Sequence, residues 1–289
     1  MKFIPEIAAA AVILTAVPVY SSAAEADTRI LTVDGVEYTF SVEADGNSAV
    51  ITRGEADENI TEISIPDTLG GCTVTGIANF AFQGSVHARS ISIPDSVKLL
   101  GTGAFMSCTS LTEVVVGEGI AVIPADCFFS CPALEKVTLP SGLETIGYEA
   151  FFCCPNADID VPENVQTIGE NALGMQNDPH SGTDIPVYGF LIKGKNGSAA
   201  QKYADENGID FIDMLNFEEG DIDFDGAVTP YDASVALSEY ARASTGAPLT
   251  FTKKQKIAAD MNRNNIIEPD DSSQILSKYA YLSTLLPTA

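Results

Sequence analysis

LGTGAFMSCTSLTEVVVGEGIAVIPADCFFSCPALEKVTLPSGLETIGYEAFFCC, residues 100–154, carries the fold in its spacing. Phe105, Phe128 and Phe151 are 23 residues apart, and Phe82 stands one step earlier. Ala81, Ala104, Cys127 and Ala150 keep the same step just before them. Ile77, Leu100, Ile123 and Ile146 form a further series, with Ile168 one residue early, and Cys108, Cys131 and Cys154 form another. Between these run short alternating segments, Ile91/Ile93, Val114/Val116, Val137/Leu139 and Ile159/Val161, followed by Pro94, Gly117, Pro140 and Pro162. A unit this small cannot bury its own apolar face. Stacking the units sets like residues in columns, Phe on Phe and Ile on Ile. The period-two segments predict short β-strands along one side. Each G-x-x-A-F segment is expected to form a short helical turn, and C-x-x-L then leads into the next strand. An earlier copy begins at Ile63-Ser64-Ile65-Pro66, with about five extra residues near Gly70-Gly71.

The unit I-P-x-x-V-x-x-I-G-x-x-A-F-x-x-C-x-x-L, well kept in PSGLETIGYEAFFCC (140–154), resembles the BspA-like bacterial leucine-rich repeats over residues 63–175. The resemblance implies a leucine-rich-repeat solenoid of short β-strands and short helical turns. It also implies an extracellular or cell-surface interaction protein, without naming the ligand. Solenoid ends expose apolar edges and need polar covers. Residues 27–62, with VDGVEYTFSVEADGNSAVIT, alternate like strands around a turn at Asp45-Gly46-Asn47 and are expected to cap one end. Residues 176–215 are expected to cap the other, GSAAQKYADENGIDFID (197–213) supplying one helix ended by Gly208 and a final strand. MQNDPHSGTDIP (175–186) reads as an irregular excursion.

Composition narrows the function. The 289 residues include 40 Asp and Glu against 15 Lys and Arg, a net charge of -25 that repels phosphate backbones and argues against nucleic-acid binding. There are no Trp and only two His, His87 and His180, which excludes a His-rich metal site. Residues 1–26 pair Lys2 with an apolar run and end in Ala24-Glu25-Ala26, as a cleaved signal peptide does. No later segment is long and apolar enough to span a membrane. The expected protein is secreted and extracellular, associated with a scaffold or a cell surface. The cysteines at 72, 108, 127, 131, 153 and 154 lie in or beside the repeats. A column of buried thiols explains the recurring ones; one or more disulfides between column neighbours are the alternative.

The carboxylates concentrate their chemistry in the last third. Asp221, Asp223, Asp225, Ala227, Thr229 and Asp232 stand at positions 1, 3, 5, 7, 9 and 12 of a loop turning at Gly226. Calcium takes six to eight oxygens at ~2.3–2.6 Å, and such a loop wraps it, with Ala227 offering its carbonyl and Thr229 acting through water. Adding 39 residues gives Asp260, Asn262, Asn264, Ile266, Glu268 and Asp271, with Asn265 in the place of Gly. The following helices match too, DASVALSEYARAST (232–245) against DSSQILSKYAYLST (271–284). TKKQKIAAD (252–260) reads as a connecting helix, and neither loop shows the entering helix of an ordinary EF-hand. Four carboxylates in the first loop against two in the second, with Glu268 adding to them, predict tighter calcium at the first.

Two calcium loops, each followed by one helix, resemble a type I dockerin over residues 216–289. The resemblance implies a small all-α domain that two calcium ions fold. Its metal ligands would be Asp221, Asp223, Asp225, Asp232, Asp260, Asn262, Asn264 and Asp271, and its partner a cohesin domain on a cellulosomal scaffoldin. Family members select their cohesin at places held here by Pro230, Tyr231, Leu237, Ser238, Pro269, Asp270, Leu276 and Ser277. The alternative packs Tyr231 and the leucines within the module. The copies differ at Tyr231/Asp270 and Glu239/Lys278, so a single preferred binding face is expected. No nucleophile elbow, P-loop, GxGxxG or HExxH is present, and no catalytic residue is assigned. The expected function is non-catalytic: calcium-dependent attachment to a scaffoldin, with the repeats presenting a surface to a protein, cell surface or polysaccharide. A surface adhesin held to the cell by its dockerin is the alternative, and a polysaccharide-degrading enzyme of unrecognised type a third reading.

Overall fold

A computed structural model describes residues 27–213, 217–264 and 266–285; the expected leader, 1–26, and Asn265 lie outside the described residues. The chain opens with β1 (Asp27–Val33), β2 (Val36–Val42), β3 (Ser48–Ala56), β4 (Glu62–Ser64), β5 (Thr68–Leu69) and β6 (Cys72–Ile77). The coils follow with β7 (Ser90–Ser92), β8 (Leu99–Leu100), β9 (Glu113–Val115), β10 (Val122–Ile123), β11 (Lys136–Thr138), β12 (Thr145–Ile146), β13 (Asp158–Asp160) and β14 (Thr167–Ile168). Then come β15 (Met175–Asn177), β16 (Asp184–Pro186), β17 (Leu191–Gly194), α1 (Ala199–Asn207) and β18 (Asp210–Asp213). The last third holds α2 (Pro230–Thr245), α3 (Lys253–Ala259) and α4 (Pro269–Leu285).

The periodic residues stack as their spacing requires. Ile91 pairs with Val114 and Val114 with Val137, at the centre of a parallel seven-stranded sheet ordered β18-β17-β13-β11-β9-β7-β4. Phe82, Phe105, Phe128 and Phe151 form one column with ring centroids 5.4, 5.4 and 5.1 Å apart and planes within 16° of parallel. Tyr38 of β2 closes the column edge-on at 6.3 Å.

The G-x-x-A-F segments are turns and not helical. Gly103, Asp126 and Glu149 take left-handed φ near +50 to +62°, and so do Ser107, Ser130 and Cys153, four residues later in each coil. A helix is interrupted at such residues. The backbone donors bond the next coil instead: Phe82 N–H to Ala104 C=O, Phe105 to Cys127 and Phe128 to Ala150, at 2.8–2.9 Å. The Cys column serves the same contact. The thiols of Cys108, Cys131 and Cys154 reach the carbonyls of Phe82, Phe105 and Phe128 at 3.4, 3.4 and 3.1 Å. All six cysteines are free thiols. Burial pushes the Cys127 thiol well up, and at Cys108 the neighbouring Cys131 thiol and then burial do the same, which disfavours the thiolate at these two positions.

The Ile77 series also forms a second set of strands, β6–β8 and β10-β12-β14, that two-residue runs do not announce. Gly101, Gly147 and Gly169 follow these strands, and their N–H groups each bond the coil before at 2.8 Å. A Cβ on Gly147 would lie 2.6 Å from Ala125 N, so the approach of coil to coil requires glycine there. Pro124 holds the same place between β10 and the next coil, has no N–H to give, and the ladder is interrupted between β8 and β10.

Further elements flank the repeats at each end. β1, β2 and β3 form an antiparallel meander, and β3 joins β6 in parallel. The extra residues near Gly70-Gly71 are the β5–β6 hairpin. At the other end α1, ended by left-handed Gly208, packs Tyr203 into the core, its hydroxyl on Leu173 N and O at 3.0 Å each. The stretch expected to be irregular at 175–186 is a hairpin of β15 and β16, tightened by the Asp178 carboxylate bonding Ser181. Among the described residues no helix is long and apolar enough to cross a membrane.

Candidate metal centre

The last third has its own apolar core: Ile222, Val228, Ala233, Ala236, Ala258, Ala259 and Ile275. It repeats at the 39-residue step, and its hydrogen bonds repeat with it. Ile222 and Asp223 N–H donate to Asp232 Oδ1 at 2.8 and 3.3 Å, and Thr229 N–H donates to Oδ2 at 2.9 Å. Met261 and Asn262 N–H donate to Asp271 Oδ1 at 3.0 and 3.4 Å, and Glu268 N–H donates to Oδ2 at 2.9 Å. Asp223, Asp225, Asn262 and Asn264 each accept from the N–H two residues on, at 2.8–3.2 Å, as Asx turns do. Position 4 is left-handed in both loops, Phe224 at φ 59° and Arg263 at φ 58°. Gly226 supplies the turn at position 6 with φ +90°.

In the first loop Asp221, Asp223 and Asp225 bring carboxylate oxygens within 4.8 Å of one another. Unit charges that close repel by about 1–4 kcal/mol per pair, depending on how wet the site is. Asp221 is 5% exposed; its Oδ2 accepts from Gly226 N–H at 2.9 Å, while its Oδ1 is buried with no hydrogen-bond partner. Burial raises its pKa, the Gly226 N–H works against the rise, and the Asp232 charge adds to it. A hard divalent cation would supply what this arrangement lacks, a counter-charge and a partner for the orphaned oxygen. The carboxylates of the first loop therefore fit calcium.

The other expected ligands are placed less uniformly. Asp232 is fully buried, lies outside the three-carboxylate group and binds backbone donors. Thr229 is the N-cap of α2; its hydroxyl accepts from Tyr231 N–H and donates to Asp232 Oδ2, a capping box that already uses it. Ala227 is exposed. In the second loop Asp260 caps the end of α3 and its Oδ1 accepts from Asn264 N–H at 3.0 Å. The Glu268 carboxylate takes the amide groups of Asn262 and Asn264 at 3.2 and 2.7 Å. Ile266 is exposed. The connecting helix expected at 252–260 is α3, seven residues long, which runs directly into Asp260.

Copy two buries Ser272 where copy one buries Ala233, and the Ser272 hydroxyl has no partner. An unsatisfied buried hydroxyl costs about 1–3 kcal/mol. Ser272→Ala is thus expected to stabilise this region by about 1 kcal/mol, read as a higher Tm; a lower Tm would contradict the assignment.

All eight residues expected at a partner face are exposed: Pro230, Tyr231, Leu237, Ser238, Pro269, Asp270, Leu276 and Ser277. Tyr231 is 61% exposed and Leu237 and Leu276 are 43% each, so they do not pack within the module. Tyr240 and Tyr279 are exposed at the same 39-residue step, a spacing that marks them as further duplicated surface residues. Glu239 and Lys278 do not distinguish the two faces, because both turn inward. Glu239 is 2% exposed; burial pushes its carboxyl up, but donors from Phe251 and Thr250 prevail and hold it below its ordinary range.

Residues 55–177 match the BspA type Leucine rich repeat region in six copies. No curated protein matches the chain. Among solved structures, a leucine-rich repeat protein of T. pallidum is 23% identical, covering 57% of this chain and 71% of that one with a TM-score of 0.47. One from Bacteroides ovatus is 28% identical, covering 49% of this chain and 38% of that one, TM-score 0.43. A leucine rich cell surface protein of Faecalibacterium prausnitzii is 20% identical, covering 59% and 65%, TM-score 0.28. The chain thus spans less than two thirds of the length of the latter two.

Proposed function

We propose that the protein is a secreted, non-catalytic pair of modules: a leucine-rich-repeat surface for a binding partner, and a calcium-loaded dockerin that attaches it to a cohesin. The observation carrying this reading is the duplicated loop, with the orphaned, buried Asp221 Oδ1 inside a three-carboxylate cluster. The family match lies upstream of the loops, so the dockerin reading rests on the loops themselves. The duplicated exposed residues Leu237/Leu276 and Tyr240/Tyr279 support a protein partner, since such pairs make apolar contact at low entropic cost. On the repeats, the outward residues of the seven-stranded sheet are mostly polar, with Lys136 paired to Glu113 and Lys193 to Asp158, which suits a polar ligand face.

The test passes the intact protein over a panel of immobilised cohesins with calcium and with EDTA. Binding that EDTA abolishes is expected. Tyr231 against Asp270 makes the two faces unequal. L237D or L276D alone is therefore expected to abolish binding to a given cohesin; full tolerance of both would sink the single-face idea. No binding to any cohesin would turn the reading towards an adhesin whose C-terminal module has another partner.

A further inference from the structure

The two loops are fastened to each other's entrances. Gly220 N–H, just before the first loop, donates to Ala258 C=O, just before the second, at 2.8 Å. Arg263, at position 4 of the second loop, reaches Glu219 Oε1 through Nη2 at 2.5 Å and Nε at 3.1 Å. Phe224, at position 4 of the first, lies under Lys254 of α3, with Nζ 4.0 Å from its ring centroid. Lys278 of α4 donates to Glu219 C=O at 2.6 Å and pairs with Glu218 at 2.5 Å. Glu239, the matching residue of α2, accepts from Thr250 and Phe251 N–H at 2.7 and 2.9 Å, at the start of α3. Opposite charges at one helix position thus do the same work, each holding the chain that enters the other loop.

Resting on the calcium reading above, we infer that the two loops take up their cations cooperatively, coupled through the clasps of Arg263 and Lys278 on residues 218–219 and their counterparts Lys254 and Glu239. The physical reason is shared ordering. A cation in one loop fixes its left-handed position 4 and the helix that follows, and those two hold the residues that begin the other loop. The second cation then meets a loop whose entrance is already ordered, which raises its affinity without any contact between the ions. The coupling is reciprocal by linkage. The Arg263–Glu219 pair alone is too exposed, at 78% and 34%, to carry it. Lys278, 27% exposed, and the buried Glu239 are the stronger members.

The experiment titrates calcium into the intact apo protein by calorimetry, in wild type and in an R263Q/K278M variant. The clasp residues occupy none of the expected ligand positions. A Hill coefficient above 1 is expected for wild type, and D260A should weaken the first loop about tenfold, within the usual range of site-to-site coupling. In the R263Q/K278M background D260A should weaken it less than twofold. Independent binding of two ions in wild type, or the same D260A effect in both backgrounds, would overturn the inference and leave the calcium reading intact. Failure of any calcium to bind would remove both. Should the double variant fail to regain helical circular dichroism in saturating calcium, K254M, which removes only the ring contact, replaces it and is expected to lower the Hill coefficient in the same direction; an unchanged coefficient would count against the coupling.

Discussion

Phe128→Ala is expected to destabilise the solenoid by about 3–5 kcal/mol, the range for losing a buried aromatic and leaving a cavity. Phe128 is fully buried and stacks on both neighbours, with centroids 5.4 Å from Phe105 and 5.1 Å from Phe151. Its backbone N–H and carbonyl also join coils, to Ala150 and to the Cys154 thiol. A solenoid is held by nearest-neighbour contacts, so a defect in a middle coil weakens two interfaces at once. Urea unfolding of the intact protein should show a large drop in the β-sheet midpoint. Phe129→Ala is the control: Phe129 is only partly buried and stacks on Phe152 alone, at 5.5 Å. A Phe129→Ala loss equal to or greater than that of Phe128→Ala would contradict the column as the source of stability.

Chelation is expected to melt α2 and α4 while leaving the solenoid folded. The helical region has a small core of mostly Ala, Ile and Val, separate from that of the repeats. Seven such buried residues give little burial free energy against the entropy of ordering two loops. A ligand that binds only the folded state adds RT ln(1 + [L]/Kd), about 2.7 kcal/mol at a hundredfold excess over Kd. EDTA should therefore remove most of the helical circular dichroism and spare the high-temperature transition of the repeats. D221A should lose more calcium affinity than D260A, because it removes the buried carboxylate of the three-carboxylate cluster. The Glu268 carboxylate already receives two Asn amides and offers less to an ion. A larger loss at Asp260, or helices indifferent to EDTA, would contradict this.

The columns were legible because a strict step of 23 residues leaves one way to stack. The turns look helical in the sequence because G-x-x-A-F has helical spacing locally. The left-handed residues that stop the helix include Ser107, Asp126, Ser130, Glu149 and Cys153, which give no sign of positive φ. Their strain, about 1–2 kcal/mol each for a residue with a Cβ, is offset by bonds to the next coil, to partners 21 or 22 residues away. The two-residue strands were hidden for a similar reason: two residues carry no period. In the C-terminal third, ligand spacing and helix starts were legible from a short motif. The capture of Asn262 and Asn264 by Glu268, and the inward turn of Glu239 and Lys278, depend on which loop faces which helix, and spacing within one copy cannot show that.

Calcium counting by native mass spectrometry of the intact protein tests the central claim most directly. The account predicts two bound calcium ions in wild type, one in D221A, and none in D221A/D260A. No bound calcium in wild type, or ions retained in the double variant, would contradict it.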